Sequence, residues 1–123
     1  MITLDYRNSK PLHEQIKKNL QELIISGSLK CDEQLPSVRE LSVSLTVNPN
    51  TVQRAYKELE ADGFIYSLPG KGSFVAEKGT NNSARTEALY KEIEAAVKEL
   101  SYLGENKEGI INMVNNIYQS NKD

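Results

Sequence analysis

Asn50, Arg54 and Lys57 recur at i, i+4 and i+7, with Thr51 and Gln53 beside them. Their chemistry is directional hydrogen bonding and positive charge. Asn and Gln can pair bidentately with adenine and Arg with guanine, while Lys and Arg meet phosphate. Such groups need a rigid support with regular spacing. The same stretch supplies one: Val52, Ala55, Tyr56 and Leu59 fall at i, i+3, i+4 and i+7, the spacing of one buried helix face. With that face inward, Asn50, Arg54 and Lys57 point the opposite way, and Thr51 and Gln53 lie on the flanks. Asn48 is placed to cap this helix and Pro49 to take its first position. The result is a polar first turn suited to a polar partner, although a solvated helix face has the same composition.

Further elements must hold this helix in place. A first helix is expected from near Pro11, with Leu12, Ile16, Leu20, Leu23 and Ile24 as its apolar stripe and Gly27 as its stop. Residues 28–36 read as a loop. SVRE, residues 37–40, matches a capping box, in which Ser37 and Glu40 satisfy each other's backbone N–H groups. The short helix that follows, with Val38, Leu41 and Leu45 inward, is expected to end by Val47. Two helices about three residues apart make a helix-turn-helix, the second running to Asp62 and ending at Gly63. The N–H groups that open the first of the pair, with Ser37 and Arg39, suit a phosphate. FIYSL (64–68) alternates Phe64, Tyr66 and Leu68 against Ile65 and Ser67, PGKG (69–72) is a tight turn, and SFVA (73–76) is a second short strand. Gly70, Lys71 and Gly72 form the tip of this hairpin, where glycines permit close approach and Lys71 can meet phosphate. Three helices and a hairpin in this order make a winged helix-turn-helix.

At the N-terminus, residues 1–8 form a lead-in whose alternating Ile2, Leu4 and Tyr6 allow a brief extended segment. Beyond the hairpin, residues 77–84 read as a polar linker. Two more helices are expected, about 85–103 and 107–120, separated by Gly104-Glu105-Asn106. The first presents Leu89, Ile93, Ala96, Val97, Leu100 and Leu103 on one face, and the second Ile110, Met113, Val114, Ile117 and Tyr118. A lone pair of this length cannot bury both stripes.

Bulk properties narrow the function classes. The chain has 123 residues and a net charge of -2. Residues 1–79 hold ten basic and ten acidic side chains, so the acidic excess lies in the remaining 44 residues. Charge alone therefore neither argues for nor excludes a nucleic-acid partner. Cys31 and His13 are the sole residues of their types, so neither a disulfide within the chain nor a multi-histidine metal site is expected. His13 is expected on the exposed or boundary side of the first helix. No phosphate-binding glycine loop, nucleophile elbow or triad is present, and neither an enzyme nor a cofactor is expected. No apolar run approaches the ~20 residues of a membrane helix, and no signal peptide is evident. A cytoplasmic protein is the expectation.

The stretch LPSVRELSVSLTVNPNTVQRAYKELEADGFIYSLPGKGSFVA resembles the DNA-binding domain of the GntR family of bacterial transcription regulators, over about residues 9–79. PLHEQI and VNPNTVQRAY are similar to the YtrA subfamily in particular. The resemblance implies a mainly α fold with a small β-hairpin: a winged helix-turn-helix over 9–79 and a short helical dimerisation region within 80–123. It implies DNA contacts by Arg39, by Asn48, Asn50 and Thr51 at the opening of the recognition helix, and by Gly70 and Gly72 at the wing tip. It also implies a homodimer formed by the tail helices, here through Leu89, Ile93, Val97, Leu100, Leu103, Ile110, Val114 and Ile117, often controlling a transporter operon. Pro49 and Gln53 stand where many family members carry arginine. Ser67-Leu68-Pro69 stands where a basic stretch is frequent, and Asp32 where a loop glycine is usual. A repressor that binds an inverted-repeat DNA operator is the leading expectation, with no effector identified. The rivals are a small-molecule-gated repressor and a protein–protein adaptor, since a fold does not fix function.

Overall fold

The computed structural model describes residues 2–79 and 83–120. Among these, the elements in chain order are α1 (Leu12–Ile25), α2 (Val38–Leu45), α3 (Pro49–Ala61), β1 (Ile65–Leu68), β2 (Gly72–Val75), α4 (Ser83–Tyr102) and α5 (Lys107–Ser120). The chain divides into two compact units, Met1–Asn82 and Ser83–Asp123.

In the first unit α3 is the central element, touching α1, α2 and β1. Its inward face is the expected one: Val52, Ala55 and Leu59 are completely buried and Tyr56 nearly so, against Ile16 and Leu20 of α1 and Leu41 of α2. Burying one such aliphatic side chain is worth about 1.5–3 kcal/mol, so this stripe fixes the rotation of α3 about its own axis. The strands pair antiparallel in the register Ile65 with Val75 through Leu68 with Gly72. Ile65 and Val75 enter the core, whereas Tyr66 and Phe74 stack on the outer face with ring centroids 5.5 Å apart.

The ends of the helices follow local chemistry. Pro11 is the residue before α1 rather than its first member, and its extended ψ of 150° leads the chain into the helix. Both bonds of the capping box at α2 are present, from Glu40 N to Ser37 Oγ at 3.0 Å and from Ser37 N to Glu40 Oε1 at 2.9 Å. The last turn of α2 closes when Val47 N–H reaches the Ser42 carbonyl and Thr46 N–H the Val43 carbonyl. The same pair of bonds ends α3 at Gly63-Phe64 and α4 at Gly104-Glu105. In each case the pivotal residue has positive φ, 56° at Thr46, 85° at Gly63 and 91° at Gly104.

Three expectations need correction. His13 is buried, with 8 % of its surface exposed, because it lies on the α1 face turned towards α3. The alternation in the lead-in stops short: Ile2 and Leu4 pack on the core, but the chain turns at Tyr6, which is 66 % exposed. Gln15 holds this lead-in with both ends of its amide, accepting from Asp5 N and donating to the Asp5 and Lys10 carbonyls. Finally, α4 starts at Ser83, inside the expected linker, part of which lies outside the described residues.

The second unit consists of α4 and α5. Asn106 caps α5, its Oδ1 accepting from Gly109 N at 2.9 Å. Among the described residues of this unit none is buried. Val97, Leu100 and Ile110 are half-buried, while Leu89, Ile93, Leu103, Val114 and Ile117 expose between 42 % and 66 % of their surface.

Candidate nucleic-acid interface

Three surfaces of the first unit carry the expected site residues: the outer face of α3, the N-terminus of α2 and the tip of the hairpin. On α3, Asn50, Gln53, Arg54 and Lys57 are exposed and Thr51 is half-buried. Asn48 is committed to structure through one atom, its Oδ1 accepting from Asn50 N at 2.8 Å, which leaves its amide nitrogen as the outward group. The buried stripe and the Asn48 cap together hold the polar first turn rigidly outward.

Arg54 does not project alone. Its Nε lies 3.3 Å from Glu58 Oε2, one turn further along α3. Glu58 is also approached by His13 Nε2 and Lys17 Nζ of α1, each at 3.6 Å, and Lys17 makes a 2.8 Å ion pair with Asp62. The carboxylate engages Arg54 at Nε, so the two terminal amino groups of the guanidinium stay available for a bidentate contact. Sequence reading placed Arg54 on this face but missed Glu58, His13 and Lys17, since their meeting depends on how α1 crosses α3.

Ser37 and Arg39 are exposed at the start of α2. The capping box occupies Ser37 Oγ but leaves other first-turn N–H groups outward, a setting that favours an anion. The Glu40 carboxyl is held below its ordinary value, first by the Ser37 backbone N–H and then by the Ser37 hydroxyl. Tyr56 joins this region to α3, its hydroxyl donating to the Pro36 carbonyl at 2.7 Å. Burial, and then the charge of Glu40, push the Tyr56 phenol well above its usual range, so it remains a neutral donor.

Gly70, Lys71 and Gly72 are exposed at the hairpin tip. Gly70 supplies the positive φ of the turn, with open space around its Cα, whereas Gly72 is crowded by Gln34. Asp32 adopts φ 65°, the conformation for which glycine is favoured. It is secured there by Tyr66, whose hydroxyl donates to Asp32 Oδ1 at 2.7 Å. Among the described residues, no group of three or more His, Cys, Asp or Glu side chains is arranged to hold a metal. No described helix is long and apolar enough to cross a membrane.

Known proteins are similar in sequence and fold. The family model described as bacterial regulatory proteins, gntR family, matches residues 12–75. The HTH-type transcriptional repressor YtrA of Bacillus subtilis (strain 168) is 39 % identical over 106 residues, spanning 85 % of this chain and 82 % of that protein. A solved structure titled as a transcriptional antiterminator from Listeria monocytogenes EGD-e has a TM-score of 0.78 at 31 % identity, covering 98 % of this chain and 92 % of that one. YtrA from Sulfolobus acidocaldarius, a GntR-family transcription factor, has a TM-score of 0.71 at 30 % identity, covering 99 % and 100 %. The DNA-binding domain of AraR, solved in complex with operator ORR3, has a TM-score of 0.54 at 30 % identity, covering 60 % and 89 %.

Proposed function

The chain belongs to the gntR family of bacterial regulatory proteins, and on that premise we propose that it is a homodimeric repressor that reads an inverted-repeat operator. As a family member it is a transcription regulator with a winged helix-turn-helix DNA-binding domain, not an enzyme. The observation that carries the finer reading is the exposed polar face of α3, held outward by a fully buried opposite face. In helix-turn-helix proteins the start of the second helix enters the major groove. Asn50, Gln53 and Arg54 then meet base edges, with Asn48, Thr51 and Lys57 beside them. Arg39 and the Ser37 end of α2 meet one stretch of phosphates, and Gly70, Lys71 and Gly72 meet another. The AraR domain, of similar fold, is a neighbour solved on an operator.

The exposed stripes of α4 and α5 support the homodimer. A second copy supplies an equal stripe, and two-fold symmetry is the commonest way to cover it. Two recognition helices would then enter successive major grooves, with half-sites about one helical turn, ~34 Å, apart. Likeness to the YtrA repressor supports repression, and resemblance to that subfamily supports a transporter operon as target. Such a regulator acts in the cytoplasm, where its DNA is.

Fluorescence anisotropy on a duplex from upstream of the protein's own gene tests this reading, with scrambled duplex as competitor at two salt concentrations. The expected result is a preference for the upstream duplex that survives at the higher salt. Binding that scrambled DNA removes equally well would contradict sequence-specific reading and favour the adaptor.

A further inference from the structure

The hairpin that carries Lys71 is held from outside itself. Residues 32–35 run antiparallel beside β2. Asp32 N–H donates to the Val75 carbonyl at 2.8 Å, Val75 N–H to the Glu33 carbonyl at 2.9 Å, and Leu35 N–H to the Ser73 carbonyl at 2.9 Å. Gln34 stands opposite Phe74 in this pairing. Its side chain carries the contact beyond the paired backbone to the tip, where Nε2 donates to the Lys71 carbonyl at 2.8 Å. Gly72 leaves room for that amide. Its φ is +119°, and a Cβ there would lie 2.8 Å from Gln34 Nε2. An open groove bordered by Gln34, Ser37, Ser67 and Lys71 separates the tip from the start of α2.

We propose that Gln34 is a positioning residue for DNA binding: it fixes the wing tip so that Lys71 and the Ser37 end of α2 span a set distance along the DNA backbone. This rests on the DNA-binding reading given above. A two-stranded hairpin is marginal by itself, and the glycines on either side of Lys71 leave its backbone free to move. Tying down the Lys71 carbonyl removes that freedom before DNA arrives, so less ordering is lost on binding. The base of the hairpin does not need this bond, because Ile65 and Val75 anchor it in the core. Gln34 itself is exposed. Loss of its amide therefore loosens the tip and leaves the fold intact.

The test is a double-mutant cycle in the full chain, using Gln34→Met, Lys71→Ala and the double variant. The probe is the tightest duplex recovered by selection from random-sequence DNA, bound over a salt series and followed by anisotropy. Lys71→Ala should lower the steepness of the log–log salt dependence by about two for the dimer, one phosphate contact per protomer. Gln34→Met should weaken binding several-fold and move the slope in the same direction. The double variant should bind no more weakly than Lys71→Ala alone, and melting temperatures should match wild type. Wild-type affinity and slope in Gln34→Met, or additive losses in the double variant, would overturn the inference while leaving the DNA-binding reading in place. An unchanged slope in Lys71→Ala would remove the wing from the interface and Gln34 with it. Failure to recover any duplex would sink the DNA-binding reading itself, and this inference too.

Discussion

Arg39, Asn50 and Arg54 have different tasks in the proposed complex, and substitution should separate them. Arg39→Ala removes a phosphate contact and should weaken binding to all duplexes alike. Asn50→Ala and Arg54→Ala should each cost on the order of 1–3 kcal/mol, concentrated at particular base pairs. Anisotropy against a panel of single-base operator variants checks this, and wild-type preference in both of the latter variants would show that the reading face is misassigned. Glu40 makes a prediction about pH. Its folded pKa lies below its ordinary value of 4.5, so its contribution is present above that value and fades as pH falls through the folded one. Urea unfolding should show wild type more stable than Glu40→Gln at pH 7, with the gap closing on acidification. A gap that does not change with pH would contradict the role of the Ser37 N–H and hydroxyl.

The helix ends show what a sequence discloses at the level of elements. Ser37 with Glu40, Asn48-Pro49 and Gly63 are local signals, and each acts where its spacing places it. The buried face of α3 was legible for a similar reason, since its period belongs to the helix alone. Thr46 was not legible as a left-handed residue, because a β-branched type rarely takes that conformation, whereas Asp32 is of a type enriched there and stands where a loop glycine is usual. Gln34, the contacts of Glu58 with α1 and the hydroxyl bond of Tyr56 escaped too, for these partners are distant in sequence and depend on packing. Thr46 offers a direct check. It takes the place that Gly63 and Gly104 take at the other helix ends, and a left-handed residue with a Cβ costs roughly 1–2 kcal/mol. Thr46→Gly should therefore raise stability by about 1 kcal/mol in chemical denaturation. Tyr56→Phe should lower it by about 1 kcal/mol through loss of the bond to Pro36. The folded phenol ionises well above the ordinary value of 10.0, so the Tyr56 contribution should decline as pH rises past that value, a decline that Tyr56→Phe should lack.

At the scale of the whole molecule, the two units divide the work. The first holds equal numbers of basic and acidic side chains, so its net charge does not by itself draw it to DNA. In the proposed homodimer, affinity comes from placed cations, Arg39, Arg54, Lys57 and Lys71, and from having two copies on one duplex. The stripes on α4 and α5 are where the second copy would attach. Their apolar spacing was legible in the sequence, but the manner of pairing was not, because one chain's periodicity does not specify its partner's position. Combining Ile93→Glu with Ile117→Glu places charges on both stripes without touching the first unit. Sedimentation should then show a monomer, and operator affinity should fall by about 10²-fold or more as the second binding event is lost. A variant that stays dimeric would move the interface elsewhere.

The most direct measurement of the central claim is selection of binding sites from a random-sequence duplex library by the wild-type chain, with the Asn50→Ala and Arg54→Ala variants in parallel. The expected product is an inverted repeat whose half-site centres lie about 10–10.5 base pairs apart, with each variant losing selectivity at one position per half-site. Recovery of unrelated sequences, or of the same motif by all three proteins, would contradict reading by α3.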